Sequence, residues 1–121
     1  MLLTPIKKDD SLRELPFYHL LMTDDVDAMT YLIRKREEII GFVRLDEVDL
    51  DTYKLVKFVM NRPENSEELI EIFYHLLEAV DQIKAQHLLV ETNKRPLIEL
   101  LGWLGFKAWP EEKNCYGYSF S

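Results

Sequence analysis

Hydrophobic positions in this chain switch between a period of two and a period near 3.6, and the switches divide it into short elements. The clearest unit is His87 to Phe106, HLLVETNKRPLIELLGWLGF. His87–Thr92 has an apolar centre too short for a lone helix and reads as a buried strand. Pro96 suits the first turn of a helix, where a missing N–H costs nothing. Leu97, Ile98, Leu100, Leu101 and Leu104 then recur at helical spacing. Gly105 suits the left-handed stop of that helix, and Phe106 returns to the core. The strongest helix upstream is Glu67 to Gln86, with Leu69, Ile70, Phe73, Leu76, Leu77, Val80 and Ile83 in one apolar stripe. Asn65 is its expected N-cap, and Glu68 three residues later completes a capping box.

The remaining elements follow from the same patterns. Leu2 to Lys7 reads as a strand that Pro5 confines to a sheet edge. Ser11 to Met22 reads as a helix capped by Asp10 or Ser11, with Pro16 as a kink or restart. Asp24 to Asp27 is a polar break. Ala28–Arg34 and Ile39–Leu45 form a predicted hairpin around a charged turn, and Asp46–Thr52 an acidic loop. Tyr53–Met60 reads as a strand with Leu55, Phe58 and Met60 as its apolar contacts. Phe106–Trp109 and Cys115–Phe120 are the last strands, with Pro110 and Asn114 bracketing their turn. Tyr116, Tyr118 and Phe120 alternate onto one face. The predicted order is β-α-β-β-β-α-β-α-β-β, an α/β (α+β) domain over 1–121. Its hairpins imply antiparallel pairs, and the long helix allows one right-handed parallel crossover.

Bulk properties narrow the function. With 121 residues there is room for one core. The net charge of −7 excludes a general nucleic-acid-binding surface, which needs a basic face. The one basic cluster, Arg34-Lys35-Arg36, runs straight into Glu37-Glu38 and reads as a solvated hairpin end. An acidic surface suits a cationic amine partner or serves solubility alone. No apolar run long enough for a membrane span and no secretory pattern is present. The single Cys115 has no internal disulfide partner, so a cytoplasmic setting is expected. His19, His75 and His87 lack companions at metal-ligand spacing, so no metal site is expected.

The strand ending near Asn93, the Leu104-Gly105-Phe106 corner and the strand Ile39-Ile40-Gly41-Phe42-Val43 together resemble the GCN5-related N-acetyltransferase (GNAT) family. The element order resembles that family over nearly the whole chain, with one helix in the first helical region where the family generally has two. The resemblance implies a mixed, mostly antiparallel sheet with flanking helices, the acyl-CoA N-acyltransferase fold. It implies acetyl-CoA as cofactor and an amine-bearing small molecule or protein as acceptor. The Val56–Met60 strand, with Phe58 and Met60, would hold the pantetheine arm. Arg62, Asn65 and Ser66 would meet the pyrophosphate at the helix start, and Asn93 would lie beside the cofactor. Glu91 is the candidate general base, along with Asp46 and Glu47 by location, and Tyr116, or Tyr118, the candidate acid.

Two departures from the family pattern stand out. The segment from Met60 to Glu68 has no glycine, and Pro63 removes a donor, whereas a phosphate loop needs small residues and free N–H groups. Glu64, Glu67 and Glu68 also place carboxylates there, and each like-charge pair 8 Å apart costs about 2 kcal/mol at an effective dielectric near 20. These side chains equally suit the dipole and cap of the helix. Leu101 stands where many family members carry a catalytic tyrosine. The residues thus leave an N-acetyltransferase, a non-catalytic domain of that fold used in partner binding, and an unrelated α+β fold all open. Trp103 and Trp109 are core filling by default, or an exposed patch for a homodimer.

Overall fold

The computed structural model describes residues 2–6, 10–21, 29–61 and 65–120, and of Asp10 and Ser11 the backbone only. Seven strands form one sheet, in the order β1-β2-β3-β4-β5-β7-β6. They are β1 (Leu2–Pro5), β2 (Thr30–Lys35), β3 (Glu38–Asp49), β4 (Thr52–Met60), β5 (His87–Glu91), β6 (Lys107–Ala108) and β7 (Cys115–Ser119). The helices are a 3₁₀ turn (Asp10–Glu14), α1 (Tyr18–Leu21), α2 (Ser66–Gln82) and α3 (Arg95–Leu104). Among the described strands only the β4–β5 pair is parallel, and α2 is its crossover. Pro5 sits in an edge strand, as its missing N–H requires.

The two sheet faces carry separate cores. Successive strand residues point to opposite faces, and Phe42 and Val43 divide in this way. Val43 joins Ile33, Leu45, Leu88 and Val90 beneath Ile72, Phe73, Leu76 and Val80 of α2 and Leu101 of α3. Phe42 and Leu32 pack on the other face with Leu12, Phe17 and Leu21. Burying each large side chain of α2 contributes about 1.5–3 kcal/mol. The α2 stripe is rotated slightly from expectation: Ile72 is fully buried, while Ile83 is exposed past the helix end.

Several elements differ from the sequence reading. The expected helix over Ser11–Met22 is two short pieces, because Pro16 has no N–H to carry the ladder through; Tyr18 N–H bonds to Leu15 O instead. Met22, the 24–27 break, Ala28 and Lys7 lie outside the described residues. The expected acidic loop at Asp46–Thr52 is strand. Asp46 pairs with Lys54, Glu47 with Tyr53 and Asp49 with Thr52. Residues 46–49 are exposed on both faces of β3, so polarity there does not report the ladder, and only Leu50–Asp51 turns. The long helix stops at Gln82 rather than Gln86. Lys84 takes a left-handed φ of 60°, and Ala85 N–H reaches back to Val80 O.

The anticipated capping box is present: Asn65 Oδ1 accepts from Glu68 N–H at 2.8 Å, and Glu68 Oε1 accepts from Asn65 N–H at 3.3 Å. Gly105 adopts φ 106°, and Phe106 N–H bonds to Leu101 O at 2.9 Å, closing α3 as its sequence implies. The last strands are shorter than expected, at Lys107–Ala108 and Cys115–Ser119. Trp103 is 68% exposed rather than core, whereas Trp109 is half-buried against His87 and Gly117.

Gly41 is a close-approach position on β3. A Cβ there would run into the Val59 carbonyl oxygen of β4 and crowd Met60. We therefore expect Gly41→Ala to destabilise the fold by about 1–3 kcal/mol, measured as a lower urea midpoint at unchanged m-value.

Candidate functional site: a cleft where two strands part

Parallel pairing of β4 with β5 covers Thr52↔His87, Tyr53↔Leu88, Lys54↔Leu89 and Leu55↔Val90, and ends there. Beyond that point β4 runs on to Met60, while β5 stops at Glu91. The β3–β4 register shifts at the same place. Leu45 faces Leu55 and Arg44 faces Lys57, so Val56 is an extra residue, a β-bulge. A bulge bends its strand, increases its twist and leaves one residue out of the ladder. The strands therefore part where the bulge sits, and a cleft of about 630 Å³ opens between them.

The cleft has walls from four elements. Leu55, Val56, Lys57 and Phe58 come from β4, and Val90 and Glu91 from β5. Ser66, Leu69 and Phe73 form one face of α2 at helical spacing, and Leu97 and Leu100 come from α3. Lys94 and Pro96 add its entrance at the start of α3. Consecutive residues of both strands line it. Phe58 and Phe73 pack with ring centroids 6.1 Å apart. A volume of this size, with mostly apolar walls and a few polar groups, is typical of a small-molecule site, at roughly 300–1,000 Å³.

The acidic start of α2 is arranged differently from its appearance in sequence. Glu68 is buried, closes the capping box and accepts from Lys35 Nζ at 3.1 Å. Glu67, Glu68 and Glu71 line a separate polar hollow with Lys35, Arg36 and Asn65. Ser66 is the residue of the first helical turn that faces the cleft. Glu67 and Glu68 thus line a hollow separate from the cleft that Ser66 lines. At α3 the first turn has no acidic residue, and Lys94, at the N-cap, makes no side-chain cap. A helix start of that kind favours negative charge.

Among the residues singled out from sequence, Phe58, Ser66 and Glu91 come together in the cleft. Met60 packs against the core beneath α2. Asn65 is committed to the cap and lines the polar hollow. Asn93 is exposed between β5 and α3, and is not part of the cleft wall. Tyr116 pairs with Val90 and packs against the core, one strand from the cleft. Tyr118 also packs there, beside Phe106. Arg62, Pro63 and Glu64 lie outside the described residues. Asp46 and Glu47 are exposed on the β3–β4 hairpin, and Glu47 accepts from the Tyr53 hydroxyl at 3.0 Å. Leu101 is fully buried, so its position is structural.

Sequence reasoning placed the Val56–Met60 strand beside the cofactor but missed the bulge at Val56, and it missed Lys94. A signal for Val56 exists: Leu55 and Phe58 both face the core although three residues apart, which breaks a period of two. Lys94 had no pattern to single it out. Among the described residues no group of three His, Cys, Asp or Glu side chains is placed to hold a metal, and no helix is long and apolar enough to cross a membrane.

Cys115 lies across from Glu91 on β7 and is buried. Burial pushes its thiol pKa up, and the Glu112 carboxylate adds to the shift. Its contribution to stability is therefore complete below the unfolded thiol's pKa, about 8.5, and is lost as pH rises through the higher folded value. At pH 8 we expect iodoacetamide to label native Cys115 at least about tenfold more slowly than the urea-unfolded chain, read by mass spectrometry.

No protein-family model matches the chain, and no curated protein matches it in sequence. Solved structures do. An IAA acetyltransferase from Bacillus cereus ATCC 14579 superposes with a TM-score of 0.67 at 16% identity, over 90% of this chain and 95% of that one. A Bacillus subtilis acetyltransferase in complex with CoA gives 0.69 at 10% identity, over 98% and 99%. The Escherichia coli ribosomal-protein-S18-alanine N-acetyltransferase gives 0.63 at 13% identity, over 85% and 76%. Together with the strand order, the single parallel pair and the cleft at its end, these likenesses establish that the chain is built on the GNAT acyl-CoA N-acyltransferase fold.

Proposed function

We propose that the protein is an acetyl-CoA-dependent N-acetyltransferase acting on an amine-bearing small molecule or protein. The observation that carries this reading is the open cleft between β4 and β5, its floor set by the bulge at Val56. Phe58 and Trp103 do not plug it: Phe58 stands in its wall and Trp103 is on the surface. A Bacillus subtilis structural neighbour was solved with CoA.

The residues present fit such a cofactor. Leu55, Phe58, Leu69, Phe73, Leu97 and Leu100 supply an apolar trough for a pantetheine arm. The β4 backbone from Val56 onward, released from β5, offers polar groups along that trough. The start of α2 at Ser66, and Lys94 at the start of α3, provide positive ends for phosphates. When bound, acetyl-CoA supplies a thioester whose acetyl group passes to the acceptor nitrogen. Glu91, on the cleft rim, takes a proton from the acceptor. The chain's excess of acidic residues favours a cationic acceptor. A single cysteine, buried and held protonated, suits a cytoplasmic setting.

Calorimetric titration with acetyl-CoA tests the reading. Binding with a Kd below millimolar is expected. Ser66→Trp, which adds bulk at the exposed first position of α2, should weaken it at least about tenfold, or 1.4 kcal/mol, with unchanged circular dichroism. No binding at millimolar acetyl-CoA would overturn the enzyme reading and favour a non-catalytic domain that binds a partner.

A further inference from the structure

We propose that Lys54 is a positioning residue for the acetyl transfer, acting through Glu91; this rests on the cleft being the acetyl-CoA site. Lys54 lies just before the Val56 bulge. Its neighbours Tyr53 and Leu55 pack into the core beneath α2 and α3, so Lys54 projects from the opposite face. There its ammonium donates to Glu91 Oε1 at 3.0 Å and to Glu112 Oε2 at 3.0 Å. One side chain thus ties β4, the last residue of β5 and the turn between β6 and β7 together beside the cleft.

The exposures of the three partners matter. The Lys54 side chain is 19% exposed, whereas those of Glu91 and Glu112 are 55% and 44% exposed. The lysine is the anchored member, and the carboxylates reach toward it from solvent. The hydrogen bonds that Lys54 donates to Glu112 and then Glu91 raise its pKa, so it remains an ammonium through the neutral range. Glu91 Oε2 makes no hydrogen bond among the described residues. Glu91 is therefore held by one oxygen, with the other left over, on a residue that lines the cleft.

That arrangement suits a proton acceptor. The acceptor amine arrives as an ammonium and gives one proton to Glu91 Oε2. Its freed lone pair forms the amide C–N bond as the thioester C–S bond breaks. The second proton passes to the departing sulfur, so CoA leaves as the thiol, and Glu91 returns its proton to water. Without Lys54 the Glu91 side chain samples several rotamers, and a base acts only when it is in reach of its proton.

The test pairs calorimetry with acetyl-CoA and release of CoA thiol in the presence of three probe amines, spermidine, lysine amide and glycinamide. Glu91→Gln should lower kcat roughly 100-fold. Lys54→Met should lower it at least about tenfold, with the acetyl-CoA Kd within about twofold of the original, and Lys54→Arg should restore most of it. The double variant Lys54→Met/Glu91→Gln should be no slower than Glu91→Gln alone, because a residue acting through Glu91 has nothing left to position. Lys54→Gln serves the same comparison if the methionine variant fails to fold. Unchanged kcat in Lys54→Met and Lys54→Gln, or losses that add in the double variant, would overturn the proposal. So would acetyl-CoA binding with none of the three amines acetylated. Absent acetyl-CoA binding would instead overturn the reading of the cleft itself.

Discussion

The constraint on which the site depends is the extra residue in β4. Val56 has no place in the β3 ladder, and parallel pairing with β5 ends at its neighbour Leu55. A strand cannot keep both partners in register through an unpaired residue, because the bulge re-aims everything beyond it. β3 retains β4 as far as Met60, so β5 is the partner that is lost. The gap cannot close by side-chain repacking alone, since α2 and α3 brace its two sides with Leu69, Phe73, Leu97 and Leu100.

The sheet around the cleft is held by different means on its two faces. Beneath α2 and α3 it is apolar burial, from Ile33 through Val90 to Leu101. On the opposite face, apolar packing around Leu32 and Phe42 is joined, near the cleft, by the Lys54 bridge to Glu91 and Glu112. The proposed acyl-donor arm would meet apolar walls, and the proposed cationic acceptor would meet carboxylates, beside one opening. The acidic residues at the start of α2 also take their place in this division. Glu68 serves the cap and Lys35, and so stabilises the helix without lining the cleft.

Much of the fold was legible because local chemistry and tertiary packing agree. The capping box at Asn65 and Glu68, the Gly105 stop and the β4–α2–β5 crossover follow from residue types at fixed spacing. The 46–49 segment was misread because a solvated hairpin end needs no apolar alternation to remain a strand. The site was less legible. Phe58, Ser66 and Glu91 reach the cleft because they lie at the ends of elements that converge. The side on which Glu67 and Glu68 lie depends on the rotation of α2, which the apolar stripe sets only to within one position. The Lys54 bridge joins residues 37 and 58 positions apart, a pairing that no local pattern encodes.

We propose that the acyl donor binds in the opening made by the Val56 bulge. Amide chemical-shift mapping during titration with acetyl-CoA tests it most directly. The account predicts the largest changes at Val56, Lys57 and Phe58 of β4, Ser66 of α2 and Leu97 of α3. Changes confined to the polar hollow around Lys35, Arg36 and Glu71, or none at saturating ligand, would contradict it.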